Sequence, residues 1–362
     1  MTNHRRAQRA SRITFLTITA LVLISLLTVI LLAAGNQGGE TSNIPSDELP
    51  SFSGGASASD SYDISDASNT SDIPDTPSIP DDSSDDTSSD IPQAPAFVIA
   101  QGTLNSEYAC LFDRSTGAVI AVKNAYTKVA PASLTKMATA ITVIEMCDDL
   151  DEMLTVSRDT VNEMYIEGAS VVGFLAGEKA TVTDMLYGLM LPSGADAAIT
   201  LANRFGGTEK GFAELMNKKM QAIGLSDTHF VNVTGLDADE HYSTAADMAR
   251  LLDYCLKNEL FRTICTTEYY KITSPTMHED GIELYNTAFS GFKRAGITNK
   301  YCLGGKTGTT DNAGRCLAAL CSVDGEEYIT VTIGARGTTG QGFVPADLNS
   351  LIEEVLPSCK AA

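Results

Sequence analysis

Three short strings in this chain hold residues of the kind and spacing that do chemistry. The first runs Ala130-Pro131-Ala132-Ser133-Leu134-Thr135-Lys136. Ser133 and Lys136 stand three apart, so on a helix they share a face and the ammonium reaches the hydroxyl. A lysine serves as a base only when burial or a nearby cation brings its pKa down from about 10.4 toward neutral. The stretch 133–146, SLTKMATAITVIEM, is apolar on nearly every side. That predicts a buried helix and supplies the burial. A serine at its start also meets the free N–H groups of the first turn, donors for a developing oxyanion. The plain alternative is a serine-capped helix with a solvated lysine.

The second string is Leu303–Thr309, LGGKTGT, and its Gly-Lys-Thr suggests a phosphate loop. That loop needs a glycine five positions before Gly305 and a helix after Thr307. Position 300 is Lys300, and the residues after Thr307, GTTDNAGRCLAALC, read as a bend and then a strand. The string instead offers a cation at Lys306 and a strand edge of N–H groups at the start of a C-terminal strand. The third string is Leu191–Ala198, LPSGADAA, which sets Ser193, Gly194 and Ala195 on a loop between helices. Other hydrolytic plans find no support. There is no GxSxG elbow, and His4, His229, His241 and His278 lack metalloprotease spacing. No CxxC or Cys/His cluster of metal spacing occurs, so neither metal nor cofactor is expected.

These strings need elements to position them. Residues 107–123 read as two strands joined by a turn at Gly117. Helical patterns follow at 183–191, with Thr183 as N-cap and Pro192 as terminator, and at 195–205, 208–223 and 244–257. Strands return at 314–323 and 327–335, then a helix at 346–356. The order strands, helices, strands predicts an α+β fold. Terminal strands pair in one antiparallel sheet, with a mostly helical central lobe.

The chain has 362 residues and a net charge of −21. Residues 1–12 carry four arginines and no acid, a basic cytoplasmic tail. Residues 13–34 are an apolar run long enough to cross a bilayer, a transmembrane anchor or a signal peptide. Residues 35–96 hold 13 acids and no Lys or Arg among Ser, Asp and Pro, a disordered acidic linker. Residues 97–362 form the catalytic domain, still net acidic at about −12, which argues against nucleic acid as partner. Either way the domain is expected outside the cytoplasm. Most of the eight cysteines lie in apolar runs and read as small hydrophobes, although an exported compartment permits disulfides.

S-x-x-K, S-x-N and K-T-G in this order form the signature of penicillin-binding proteins and serine β-lactamases. The chain from about 97 to 335 resembles the low-molecular-weight penicillin-binding proteins, the serine-type D-alanyl-D-alanine carboxypeptidases of peptidase family S11. The segments DMLYGLMLPSGADAA, FAELMNKKMQAIGLSDTHFVNVTGLD, HYSTAADMARLL and GGKTGTTDNAGRCLAAL carry the likeness beyond the motifs. The resemblance implies a β-lactamase/transpeptidase-like fold. It implies removal of the terminal D-Ala from peptidoglycan stem peptides, and acylation by β-lactam antibiotics.

By that resemblance Ser133 is the acylated nucleophile, Lys136 its base, and Ser193 a proton relay. Lys306 and Thr307 hold the substrate carboxylate. Gly308 belongs to the same strand edge, and the N–H groups of Ser133 and Thr309 form the oxyanion hole. Ala195 departs from the pattern, because the family usually has Asn there. The departure opens a second reading, an impaired penicillin- or muropeptide-binding protein. A serine β-lactamase is a third, although the chain lacks the Glu-containing loop that positions a deacylating water. Asn217 and Asn232 read as structural, and Asn286 and Arg336 as turn residues or cleft residues. The family often carries a C-terminal β-domain, for which too little chain remains after 335.

Overall fold

The computed structural model describes residues 96–273, 277–337 and 342–361. The tail at 1–12, the apolar run at 13–34 and the linker up to residue 95 lie outside them. Among the described residues no helix is long and apolar enough to cross a membrane.

The chain enters through β1 (Phe97–Val98), β2 (Tyr108–Asp113) and β3 (Ala118–Lys123). A 3-10 turn at Ala132–Leu134 leads into α1 (Thr135–Met146). Then come β4 (Met153–Thr155), α2 (Arg158–Ile166), β5 (Lys179–Thr181), α3 (Val182–Met190), α4 (Ala195–Gly206) and α5 (Glu209–Ala222). The lobe continues through α6 (Ala245–Leu256), α7 (Glu259–Thr266), β6 (Tyr269–Ile272), β7 (Ile282–Tyr285) and α8 (Thr287–Ala295). The chain returns through β8 (Cys302–Thr310), β9 (Gly314–Val323) and β10 (Glu326–Ala335) to α9 (Phe343–Ser350). That last helix runs on through a π-helical segment, Leu351–Val355, to α10 (Leu356–Ala361).

The main sheet has the order β1-β3-β2-β10-β9-β8. The first hairpin joins the C-terminal strands through β2 and β10, antiparallel, with Val331 opposite Cys110. This is the α+β arrangement expected, with one difference. β1 lies parallel to β3, Phe97 opposite Ala121, so the sheet is mixed at that edge. Two residues carry no periodicity, which is why the sequence did not announce them.

Both faces of the sheet are covered. Cys316, Ala318 and Leu320 of β9 pack with α1 and the helical lobe. Leu317, Ala319 and Cys321 pack on the other side, with Phe292 of α8 and Leu348 of α9. A strand buried on both faces reads as a continuous apolar run, and its period of two is blurred. The helix α1 sits inside the lobe, with Thr135 through Val143 all buried.

Three local expectations shift. Ser133 precedes the helix, in a 3-10 turn, and α1 proper starts at Thr135. The N-cap of α3 is Thr181, which closes a capping box with Asp184, while Thr183 lies inside the first turn. Lys306-Thr307-Gly308 stands inside β8 and does not open it. Gly304 lies against the Cys265 carbonyl and Gly305 against that of Ala318. Two glycines without Cβ let the strand begin early and pack closely. All eight cysteines are free thiols, six of them buried.

Candidate active site

The turn that carries Ser133 is built under strain. Ala132 adopts φ +48, the left-handed region, which costs a non-glycine residue about 1 kcal/mol. A relay from behind holds it. The Val231 N–H donates to His241 Nδ1 at 3.2 Å, so the ring proton sits on Nε2. Nε2 faces Thr135 Oγ1 at 2.9 Å, and that hydroxyl donates to the Ala132 carbonyl at 2.9 Å. Burial pushes His241 down to about 4, so it stays neutral and keeps this tautomer.

Gly235, at φ +82, presses on the same carbonyl, and a Cβ there would overlap Ala132 O. Asn232 shapes the loop that brings Gly235 in. Its Oδ1 accepts the N–H groups of Thr234 and Gly235, and its Nδ2 donates to Leu236 O. Gly235→Ala should therefore cost about 1–3 kcal/mol and displace the serine turn. The expected readings are a lower melting temperature and acylation by a fluorescent penicillin slowed about tenfold or more. Acylation at the wild-type rate would refute this account of the turn.

Lys136 Nζ lies 3.0 Å from Ser133 Oγ and donates at 2.6 Å to Thr234 O. Burial brings it down to about 7, and the carboxylate of Asp196 opposes that shift. Lys306 is fully buried on β8, with Nζ 2.9 Å from Thr307 O. Burial pushes its pKa well down, and the charge of Lys136 pushes it further. Burial thus disfavours charge on both lysines, and their titrations are coupled.

Ser193 follows α3 and Pro192, at φ +71. Its Oγ is buried and has no hydrogen-bond partner among the described residues. An unpaired buried hydroxyl costs about 1–3 kcal/mol, a cost found where a site has a task. Ser133 and Ser193 line the same cleft of about 280 Å³, with Thr307, Gly308 and Thr309 along one wall. Gly308 lets that wall approach, since a Cβ there would lie 2.9 Å from the Ser133 nitrogen. β8 is an edge of the sheet, so its outer N–H and C=O groups are available to an extended ligand.

Ser133, Ser193, Thr307 and Gly308 thus line one cleft, with Thr309 beside them, and Lys136 reaches Ser133 from within the lobe. Lys306, however, does not line it; the lysine lies behind Thr307. Asn286 is not a cleft residue either. It caps α8 and donates Nδ2 to Cys265 O and Thr267 O. Arg336 clamps the bend between β8 and β9 through Asp311 O and Asn312 O. Asn217 exchanges two hydrogen bonds with the Phe230 backbone.

Sequence reasoning missed Arg294, Arg315, Thr287 and Ser170, all of which line the cleft. Thr287 Oγ1 meets Thr307 Oγ1 at 2.6 Å. Arg315 had a signal. It stands one residue past Gly314 and faces Thr309 across the hairpin. Arg294, on the last turn of α8, had none.

The comparisons with known proteins agree with this geometry. The family model for D-alanyl-D-alanine carboxypeptidase, peptidase S11, matches residues 94–337. The chain is 32% identical over 267 residues to D-alanyl-D-alanine carboxypeptidase DacF of Bacillus subtilis, covering 72% of this chain and 65% of that one. It is 29% identical over 250 residues to a Streptomyces D-alanyl-D-alanine carboxypeptidase, covering 67% and 84%. The chain thus spans a little under two thirds of the Bacillus relative. A crystal structure of a Streptomyces DD-transpeptidase superposes with TM-score 0.61 at 26% identity, over 73% of this chain and all of that one. A Mycobacterium tuberculosis D-alanyl-D-alanine carboxypeptidase shares the fold with TM-score 0.63 at 22% identity, over 73% and 95%. With the family model covering more than half of its length, the chain belongs to the D-alanyl-D-alanine carboxypeptidase family, peptidase S11.

Proposed function

We propose that this protein is a serine-type DD-carboxypeptidase that removes the terminal D-Ala from peptidoglycan stem peptides. The observation that carries this is Lys136 Nζ, 3.0 Å from Ser133 Oγ on a lysine buried enough to lose its proton near pH 7. In this reading Ser133 Oγ attacks the carbonyl carbon between the last two residues and passes its proton to Lys136. The N–H groups of Ser133 and Thr309 hold the oxyanion. The C–N bond then breaks. The departing amine takes the proton, relayed by Ser193, and D-Ala leaves. Water attacks the remaining ester, with Lys136 again as base, and frees Ser133 and the shortened peptide.

The substrate carboxylate falls to the cleft side of β8. Thr307 and Thr309 offer hydroxyls there, and Arg294 of α8 and Arg315 of β9 add charge to the lining. Lys306 acts from behind, through its hydrogen bond to Thr307 O. β-Lactams, which mimic the terminal dipeptide, acylate the same serine. The domain works outside the cytoplasm, on the reading that the apolar run at 13–34 directs export or anchors it. The acidic linker then holds it away from the membrane.

The test is release of D-Ala from a stem pentapeptide, with and without penicillin. Release that penicillin blocks is the expected result. Absence of release at high enzyme concentration, together with absence of penicillin labelling, would reject the reading.

A second reading has its own observation. Ala195 begins α4, buried, and its N–H donates to Ser170 O at 2.8 Å. It offers no side-chain polar group where the family's Asn would stand. The Ala195→Asn variant is expected to melt lower, because the site is closed, and to release D-Ala about 10–100-fold faster. If D-Ala release appeared only in that variant, the protein would be a muropeptide-binding member of the family.

A further inference from the structure

Behind Ser193 the chain is held by a device that the chemistry above does not use. The segment 170–174 crosses the start of α4. Asp196, 2% exposed, accepts the N–H of Val172 at 2.8 Å, of Gly173 at 3.1 Å and of Phe174 at 3.4 Å, and that of Ala197 at 3.0 Å. The Val172 side chain fills the space left by two glycines that flank the catalytic loop. A Cβ on Gly188 would lie 2.6 Å from Val172 Cγ2, and one on Gly194 would overlap it. The Ala195 N–H donates to Ser170 O at 2.8 Å, and Ser170 itself lines the cleft. Beneath the segment lies an apolar cavity of about 380 Å³, bounded by Met164, Phe174 and Asp196, which leaves it room to shift.

We propose that Asp196 is a positioning residue for the reaction: its buried carboxylate clips segment 170–174 against the Ser193 loop and sets the field at Lys136. The inference rests on the serine–lysine reading above. All four groups around the carboxylate are donors, so only the ionised form satisfies them. Burial raises its pKa, and these N–H bonds hold it down. Helix α4, which Asp196 helps to open, packs against α1, which carries Lys136. The other titratable groups coupled to that lysine are His241, from the segment before α6, which is neutral, and Lys306 of β8, on which burial disfavours charge. Asp196 is the anion whose attraction keeps Lys136 near pH 7 and not lower.

The two roles separate by experiment. Selective carbon-13 labelling of lysine side chains, with Lys136→Met to assign the signal, reads the Lys136 titration whether or not the protein turns over. Asp196→Asn and Asp196→Ser, each checked for a cooperative melt, should move that titration down by about half a pH unit or more. Gly173→Ala keeps the charge but strains the clip, because Gly173 holds φ +104. It should leave the titration in place and slow acylation by a fluorescent penicillin about tenfold. An unmoved titration in a folded neutral variant overturns the electrostatic role. Unchanged acylation in Gly173→Ala overturns the clip. Lack of acylation in the wild type would instead sink the proposed function while the titration still judged Asp196.

Discussion

Ser133→Ala should take up no fluorescent penicillin and release no D-Ala, a loss of about 10⁴-fold or more against the wild type. Turnover and penicillin labelling both need a covalent ester on one oxygen, and among the hydroxyls that line the cleft Ser133 and Ser193 are the two the motifs single out. They differ in what stands beside them. Ser133 has the Lys136 amine at 3.0 Å, whereas the Ser193 oxygen has no hydrogen-bond partner among the described residues. The substitution also leaves the fold alone. Lys136 keeps its bond to Thr234 O, and Thr135 keeps the hold on Ala132. The melting temperature should stay close to that of the wild type. Equal labelling of wild type and variant, read on a gel, would move the nucleophile elsewhere, with Ser193 the next to test.

The second large effect is at Lys136. Lys136→Met keeps the length and the apolar stem and removes only the amine. Acylation should fall about 10³-fold or more, because the base is gone. The pH profile makes the assignment specific. The working form of Lys136 is neutral, so wild-type acylation should rise with pH through about 7 and flatten above. In the variant that rise should vanish.

Stability should move the other way. The folded pKa of about 7 lies below the unfolded value near 10.5, so unfolding takes up a proton between the two. Lys136 thus weakens the fold progressively as pH falls from about 10 to 7, by an amount on the order of a few kcal/mol at neutral pH. Methionine escapes that cost but strands the Thr234 carbonyl. The variant should lose less stability than the wild type on going from pH 9.5 to 7.5. Denaturant melts at the two pH values check this. A parallel loss in both proteins would mean that Lys136 is not held neutral by its surroundings.

Much of the site was legible because it is local. Ser133 and Lys136 are three residues apart, and the apolar run after them announced both the helix and the burial that lowers the lysine. Ser193 and the Lys306 string stood out by order and spacing. The capped helices α4, α5 and α6 began within a residue or two of where the sequence placed them. These signals depend on neighbours along the chain, and local physics is enough to set them.

Other features depend on what comes close in space, and no string encodes them. Lys306 was expected in the cleft, yet the close packing at Gly304 and Gly305 leaves it fully buried behind Thr307. Arg294 reached the cleft only because α8 packs beside β8. The left-handed Ala132 is held by His241 through Thr135, two residues 106 positions apart. Asp196 stands next to Ala195 in the third string, and the fold made it the acceptor for a segment more than 20 residues earlier. The sequence by itself determined the pairing of Ser133 with Lys136 and the order of the three strings, since these rest on helix periodicity and residue chemistry. Tertiary structure alone decided which groups face the substrate and which tune the base. A pKa and a cleft are sums over everything that packing brings within a few ångströms.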